Sequence, residues 1–267
     1  MKLNVTIGKY YPADSILHRL DPRVKLASTF AFIILLFVAN DFWGYLLSGV
    51  SIFSVMLLSK IPLKFIFKGL RAVIFIILFT VVFNVFFVHG ERVLFEFWIV
   101  RVTLEGVFTS IRLASRLVML VLASSVLTLT TSPLQLTDGI EYGLKPLKKI
   151  GVPAHEIAMM MTIALRFIPT LMEEVDKISK AQMARGAEFD TGNIIDKAKA
   201  MVPLLVPLFI SAFTRAEELA MAMEARCYRG DVGRTRMKVL KYTKSDYISS
   251  VLMVAFGSAI ILIRVLL

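Results

Sequence analysis

Residues 157–186, IAMMMTIALRFIPTLMEEVDKISKAQMARG, and residues 205–227, LVPLFISAFTRAEELAMAMEARC, carry one pattern twice. Stepping back from Arg185 in threes and fours gives Gln182, Ile178, Val175, Leu171, Ile168, Ala164, Met161 and Ile157. From Arg226 the same steps give Met223, Leu219, Ala216, Ala212, Phe209 and Leu205. Alternating threes and fours mark the seam of a helix that packs on another helix. Each seam ends in an arginine between small residues, Ala184-Arg185-Gly186 in one copy and Ala225-Arg226-Cys227 in the other. One arginine in a last helical turn needs no more than the helix dipole to account for it. Two copies some forty residues apart, each flanked by residues too small to cover a guanidinium, predict exposed tips made for a groove on a partner.

The rest of the chain places those helices at a membrane. Of 267 residues 57% are hydrophobic, 20 are Phe, and the mean hydropathy is +0.73. A soluble domain is about half apolar, and here the charges lie outside long apolar runs. The expected fold class is therefore all-α, a polytopic membrane protein with about five transmembrane helices and a cytoplasmic region of long amphipathic helices. The net charge of +11 follows from basic cytoplasmic loops and anionic headgroups and calls for no nucleic acid. Cys227 is the single cysteine, so neither an intrachain disulfide nor a multi-cysteine metal site is expected. His18, His89 and His155 form no ligand-spaced pair. There is no phosphate-binding G-x-x-x-x-G-K-[ST], no G-x-S-x-G and no H-E-x-x-H. No signal peptide is expected, because the first apolar run follows a polar and mixed N-terminal segment.

Five runs are expected to span the bilayer: Val24–Ala39, Phe42–Ser59, Ala72–Val88, Gly106–Thr131 and Tyr247–Leu267. Asp21-Pro22 opens the first as N-cap and first helical residue. Phe42 and Trp43 follow as interfacial anchors after the short turn at Asn40-Asp41. The alternation in 93–98 suggests an interfacial stretch or a short hairpin. Arg112 and Arg116, four apart on the fourth run, are expected to reach headgroups or to pair with another helix. The predicted division is 1–131 with four spans, 132–246 as the cytoplasmic helical region, and 247–267 as the last span. Within 132–246, 17 Lys and Arg stand against 14 Asp and Glu. Gly151-Val152-Pro153 opens the first long helix, Pro169 kinks or splits it, and Gly186 stops it. Glu173 with Lys177, and Asp176 with Lys180, are expected i,i+4 pairs. Pro203 and Pro207 introduce the second long helix and Gly230 ends it. The apolar pieces 157–172 and 201–214 read as helices in the membrane surface; counted as spans they would make seven. Basic or long loops on one side put the N-terminus in the cytoplasm.

Three stretches resemble one known family, the transmembrane T component of energy-coupling factor (ECF) transporters. They are Asp14-Ser15-Ile16-Leu17-His18-Arg19-Leu20-Asp21-Pro22-Arg23-Val24-Lys25, then Arg166-Phe167-Ile168-Pro169-Thr170-Leu171 leading to Ala181-Gln182-Met183-Ala184-Arg185-Gly186, and finally Ala222-Met223-Glu224-Ala225-Arg226-Cys227-Tyr228-Arg229-Gly230. The resemblance implies a non-catalytic membrane subunit whose two motif arginines, here Arg185 and Arg226, each dock on one of two ABC-type ATPase subunits. It also implies a small substrate-binding membrane subunit as partner, ATP-driven uptake of a vitamin or metal ion, the cell inner membrane, and no cofactor of its own. Cys227 stands where the family commonly has glycine. Two rival readings differ in class. A membrane-embedded enzyme acting on lipid phosphates would use Arg112, Arg116, Arg166 and Glu141, but has no evident nucleophile, metal cluster or acid–base pair. A self-contained secondary transporter would want broken spans with ionisable groups at mid-membrane and an internal repeat of those spans, and no such repeat is found.

Overall fold

A computed structural model describes residues 10–88, 93–97, 100–187, 193–230 and 240–266. It is all-α apart from one short hairpin, and all five apolar runs form helices. The described residues fall into two compact units, one drawn from Gly8–Ile140 and Val239–Leu267, the other from Glu141–Lys238.

The first unit opens with a single turn, α1 (Ile16–Arg19), capped by Ser15. Arg19 forks onto the Asp14 carboxylate at 2.8 and 2.6 Å and holds that carboxyl below its usual range. Both side chains are exposed, so the pair adds little stability. The N-cap Asp21 accepts from the Arg23 amide at 2.9 Å, and Pro22 occupies the first position of α2 (Pro22–Val38), as the sequence predicts. Next come α3 (Phe42–Leu58) and α4 (Leu63–Phe87), then the antiparallel pair β1 (Val93–Phe97) and β2 (Val100–Thr103). After them α5 (Leu104–Thr130) returns along α4, and α9 (Lys244–Leu266) closes the unit. Helices α4, α5 and α9 are long and apolar enough to cross a membrane. At 17 residues each, α2 and α3 measure about 25 Å, the short end of what a bilayer accepts.

The core lies among α2, α3 and α5, built from Phe32, Leu36, Ile52, Met56, Leu122 and Val126. Small residues set the closest approaches. A Cβ on Gly69 of α4 would lie 2.5 Å from Ser125 Oγ of α5. Thr103 fastens the other end of that pair: its hydroxyl donates to Val88 O at 2.8 Å and accepts from the Gly106 amide as N-cap of α5. The α2 and α9 N-termini are joined by Asp246, almost fully buried, which accepts from Asp21 N at 2.7 Å and from Thr243 N and Oγ1 at 2.7 and 2.6 Å. Lys25 Nζ donates to His18 O and Thr130 O, binding α1 and the end of α5 to the same corner. The N-terminal motif is thus a knot of helix ends. Its partners Thr130 and Asp246 lie more than a hundred residues away in sequence.

Helix α6 (Pro133–Leu144) begins at a capping box, in which Ser132 and Gln135 exchange amide–side-chain hydrogen bonds at 3.2 and 3.4 Å. The Ser-x-x-Gln spacing was there to be read in the sequence. A 3₁₀ segment (Lys145–Ile150) leads to α7 (Ala154–Ala184) and α8 (Ile194–Ala225), the long helices of the second unit.

Candidate functional site

The two arginine tips lie on α7 and α8. Helix α7 runs unbroken through Pro169. Helix α8 starts at Ile194, well before Pro203 and Pro207, and holds both prolines inside. The sequence expectation that they begin the helix is therefore corrected. A proline removes one donor from the ladder, and the carbonyl this strands is taken up across the pair. Pro207 cannot donate to Pro203 O, and Gln182 Nε2 of α7 approaches that oxygen at 3.5 Å. Further along, Arg215 Nη2 donates to Glu174 Oε2 at 3.0 Å. Of the two expected i,i+4 pairs on α7, Asp176–Lys180 closes at 2.5 Å, and Glu173 and Lys177 form none.

These two contacts fix the sense of the pair. Going from Glu174 to Gln182 approaches Arg185, while going from Arg215 to Pro203 recedes from Arg226. The helices are antiparallel in sense, and the tips project in opposite directions. Each arginine is eleven residues from the Glu174–Arg215 contact, or about 16 Å along its helix at 1.5 Å per residue.

Both tips have the same backbone. At the end of α7, the Gly186 amide donates to Met183 O and the Ala187 amide to Gln182 O, each at 3.0 Å. At the end of α8, the Cys227 amide donates to Glu224 O at 2.8 Å and the Tyr228 amide to Met223 O at 3.1 Å. Each is a Schellman cap, with the arginine as C-cap and the residue after it left-handed: Gly186 has φ +88° and Cys227 has φ +56°. The helix thus stops at Ala225 rather than near Gly230, because Cys227 takes the left-handed position. Smallness was the signal read in the sequence at that position, and the required φ was missed. Ala184, Arg185, Gly186, Ala225, Arg226 and Cys227 are all exposed. Neither guanidinium has a hydrogen-bond or ion-pair partner among the described residues.

The predicted seam is half-buried on α7 from Ile157 to Gln182, with Ala164 exposed. On α8 it is partly covered at Ala212, Leu219 and Met223, but Leu205 and Phe209 stand exposed. They join Val202, Val206, Ile210 and Phe213 in one uncovered apolar face on the proline-bearing half of α8.

The residues of the enzyme reading are placed as follows. Glu141 faces His155 Nδ1 at 3.3 Å, Arg166 and Arg112 are exposed, and Arg116 Nη2 approaches Ala39 O at 3.4 Å. No group of three or more His, Cys, Asp or Glu able to hold a metal ion occurs among the described residues. His89 lies outside them.

Residues 13–239 match the CbiQ family, described as cobalt transport protein. The chain is 57% identical to the energy-coupling factor transporter transmembrane protein EcfT of Thermosediminibacter oceani over 242 residues, 91% of each chain. It is 51% identical to the protein of that name from Ruminiclostridium cellulolyticum over 261 residues, covering 98% of this chain and 97% of the relative. For the one from Bacillus subtilis the identity is 46% over 261 residues, 98% of each. A family match across most of the sequence and relatives at this identity over nearly full length leave one assignment: the chain belongs to the CbiQ family and is a membrane-integral T component of an energy-coupling factor transporter.

Proposed function

We propose that this chain is the non-catalytic scaffold that couples two ABC-type ATPase subunits to a small substrate-binding membrane subunit. In this reading Arg185 and Arg226 each dock on one ATPase. Ala184, Gly186, Ala225 and Cys227 keep the approach open around them. The observation that carries it is the pair of identical caps, which project two uncommitted guanidinium groups from opposite ends of one helix pair. An arginine held on a rigid helix end presents a planar fork of donors to a carboxylate at little further entropic cost. Opposite tips suit two separate partners. The helix pair between them, clamped by Arg215–Glu174, transmits motion from one to the other.

The exposed face of α8 from Val202 to Phe213 then serves the substrate-binding subunit and the bilayer beside it. An apolar face of that extent marks an interaction surface. Residues 132–246 form the cytoplasmic coupling region in this proposal, between spans in 1–131 and the last span in 247–267. The N-terminus is cytoplasmic in the inner membrane. The vitamin or metal ion carried is chosen by the partner subunit.

The test is copurification with the two ATPases, followed by uptake in reconstituted vesicles. Removing one arginine from a buried charge pair costs about 2–5 kcal/mol, or roughly one and a half to three and a half decades of affinity. Arg185→Ala and Arg226→Ala should each loosen one ATPase contact, and the double variant should lose ATP-driven uptake while inserting normally. Lysine restores the charge but not the fork, so it should rescue only in part. A double alanine variant that assembles and transports like the parent would refute the docking role.

A further inference from the structure

The second cluster of arginines lies in the first unit, at the C-terminal end of α2. Two of its helices, α5 and α9, each send a guanidinium toward the turn at residues 39–41. Arg116 Nη2 of α5 approaches Ala39 O at 3.4 Å, and Arg264 Nη1 of α9 approaches Val38 O at 3.5 Å. Arg112 stands one turn from Arg116 on the same face of α5 and is exposed. Carbonyls at the end of a helix attract cations, which explains the direction of the first two side chains. It does not satisfy them. Each guanidinium carries five N–H donors, and each makes a single long hydrogen bond here. Arg116 Nε is buried with no partner, and so is the hydroxyl of Tyr45, the residue whose ring lies 5.8 Å from the Arg116 guanidinium. No ion pair reaches any of the three arginines among the described residues. The nearest carboxylate in sequence, Asp41, makes no side-chain cap bond to α3.

Uncompensated positive charge is costly within a lipid-embedded bundle. Two features place this corner at headgroup depth. The turn follows a helix of only 17 residues, and Phe42 and Trp43 open α3 with exposed rings beside it, as aromatic side chains do at the membrane–water boundary. Phe37, over which the Arg116 guanidinium lies at 5.1 Å, is exposed as well. Cationic forks thus lie next to an apolar wall. That combination fits one class of ligand, with a tetrahedral anion joined to hydrocarbon chains. We infer that Arg112, Arg116 and Arg264, with the Tyr45 hydroxyl, bind the phosphate of a membrane phospholipid whose chains lie along Phe37, Phe42 and Trp43. The site is independent of the arginine tips on α7 and α8.

The experiment uses the full chain, purified in detergent and stripped of lipid. Three probes are titrated while heat unfolding is followed: dioleoylphosphatidylglycerol, dioleoylglycerol with the same chains but no phosphate, and inorganic phosphate. The phospholipid should raise the unfolding midpoint saturably, and dioleoylglycerol should not. Arg116→Gln and Arg264→Gln should each raise the half-saturating concentration roughly tenfold, the loss of one charged hydrogen-bonding partner. Both also uncap α2 and could lower stability directly. Arg112→Gln touches no carbonyl of α2, so it should fold like the parent and still bind more weakly. Lys64→Gln, at the start of α4, should leave binding unchanged. Equal stabilisation by dioleoylglycerol, or unaltered phospholipid binding in Arg112→Gln and Arg116→Gln, would overturn the site. An arginine-dependent effect of inorganic phosphate alone would overturn the lipid as its source.

Discussion

Gly186 and Cys227 fill the same position of the same cap, with φ +88° and +56°, yet only glycine adopts that backbone without a steric penalty. For any residue with a Cβ the left-handed conformation costs about 1 kcal/mol or more. Cys227 bears that cost in the ground state. Cys227→Gly should therefore tighten the end of α8, and amide exchange across 223–228 should slow roughly fivefold for about 1 kcal/mol. Gly186→Ala is the mirror experiment. A Cβ there meets nothing within 4 Å, so only the backbone preference is lost, and exchange across 182–187 should quicken by a similar factor. Cys227→Ala separates the thiol from the backbone and should leave α8 unchanged. If glycine at 227 gives no added protection, strain at that cap is not what distinguishes the two tips. The sequence disclosed the arginines and their small neighbours. It could not disclose that the third position is chosen for φ, because cysteine is small and gives no sign of a left-handed backbone.

At the level of whole helices, termini were legible where a local signal writes them and illegible where the partner is remote. Asp21-Pro22 announces α2 and Gly186 closes α7, each by chemistry confined to a few residues. Pro203 and Pro207 misled, since a proline normally forfeits a helical hydrogen bond, whereas here Gln182 from the neighbouring helix offers a donor to the stranded carbonyl. Asp246 shows the same limit from the other side. Its sequence context is an unremarkable acidic residue in a first helical turn, but the fold buries it against an amide 225 positions away. Asp246→Ala would leave the Asp21 and Thr243 amides unpaired in a dry corner, at about 1–3 kcal/mol for such a group. Asp246→Asn keeps one acceptor oxygen and should cost less. The heat-unfolding midpoint in detergent should thus fall in the order parent, Asn, Ala. Equal midpoints for all three would mean that Asp246 does not hold the starts of α2 and α9 together.

For the molecule as a whole, hydropathy settled the fold class because lipid demands that a spanning segment satisfy its own backbone. Every long apolar run therefore had to become a helix, and α2, α3, α4, α5 and α9 did. What hydropathy could not supply is which helices touch, since in lipid the contacts depend on small residues and buried polar groups rather than on apolar area. Gly69 against Ser125 and the Asp246 corner are of that kind. Sidedness is a separate question, decided by charge. The region between α5 and α9 is long and rich in lysine and arginine, whereas the turn at Asn40-Asp41 carries no basic residue. The positive-inside rule predicts the two on opposite faces of the membrane, with the former in the cytoplasm. Cys227 reports on this directly, being the single thiol of the chain and exposed. A membrane-impermeant maleimide should leave it unlabelled in intact cells and modify it in inverted vesicles. Labelling from outside would reverse the topology, carry both arginine tips away from the nucleotide-bearing compartment, and remove the basis for docking an ATPase on either.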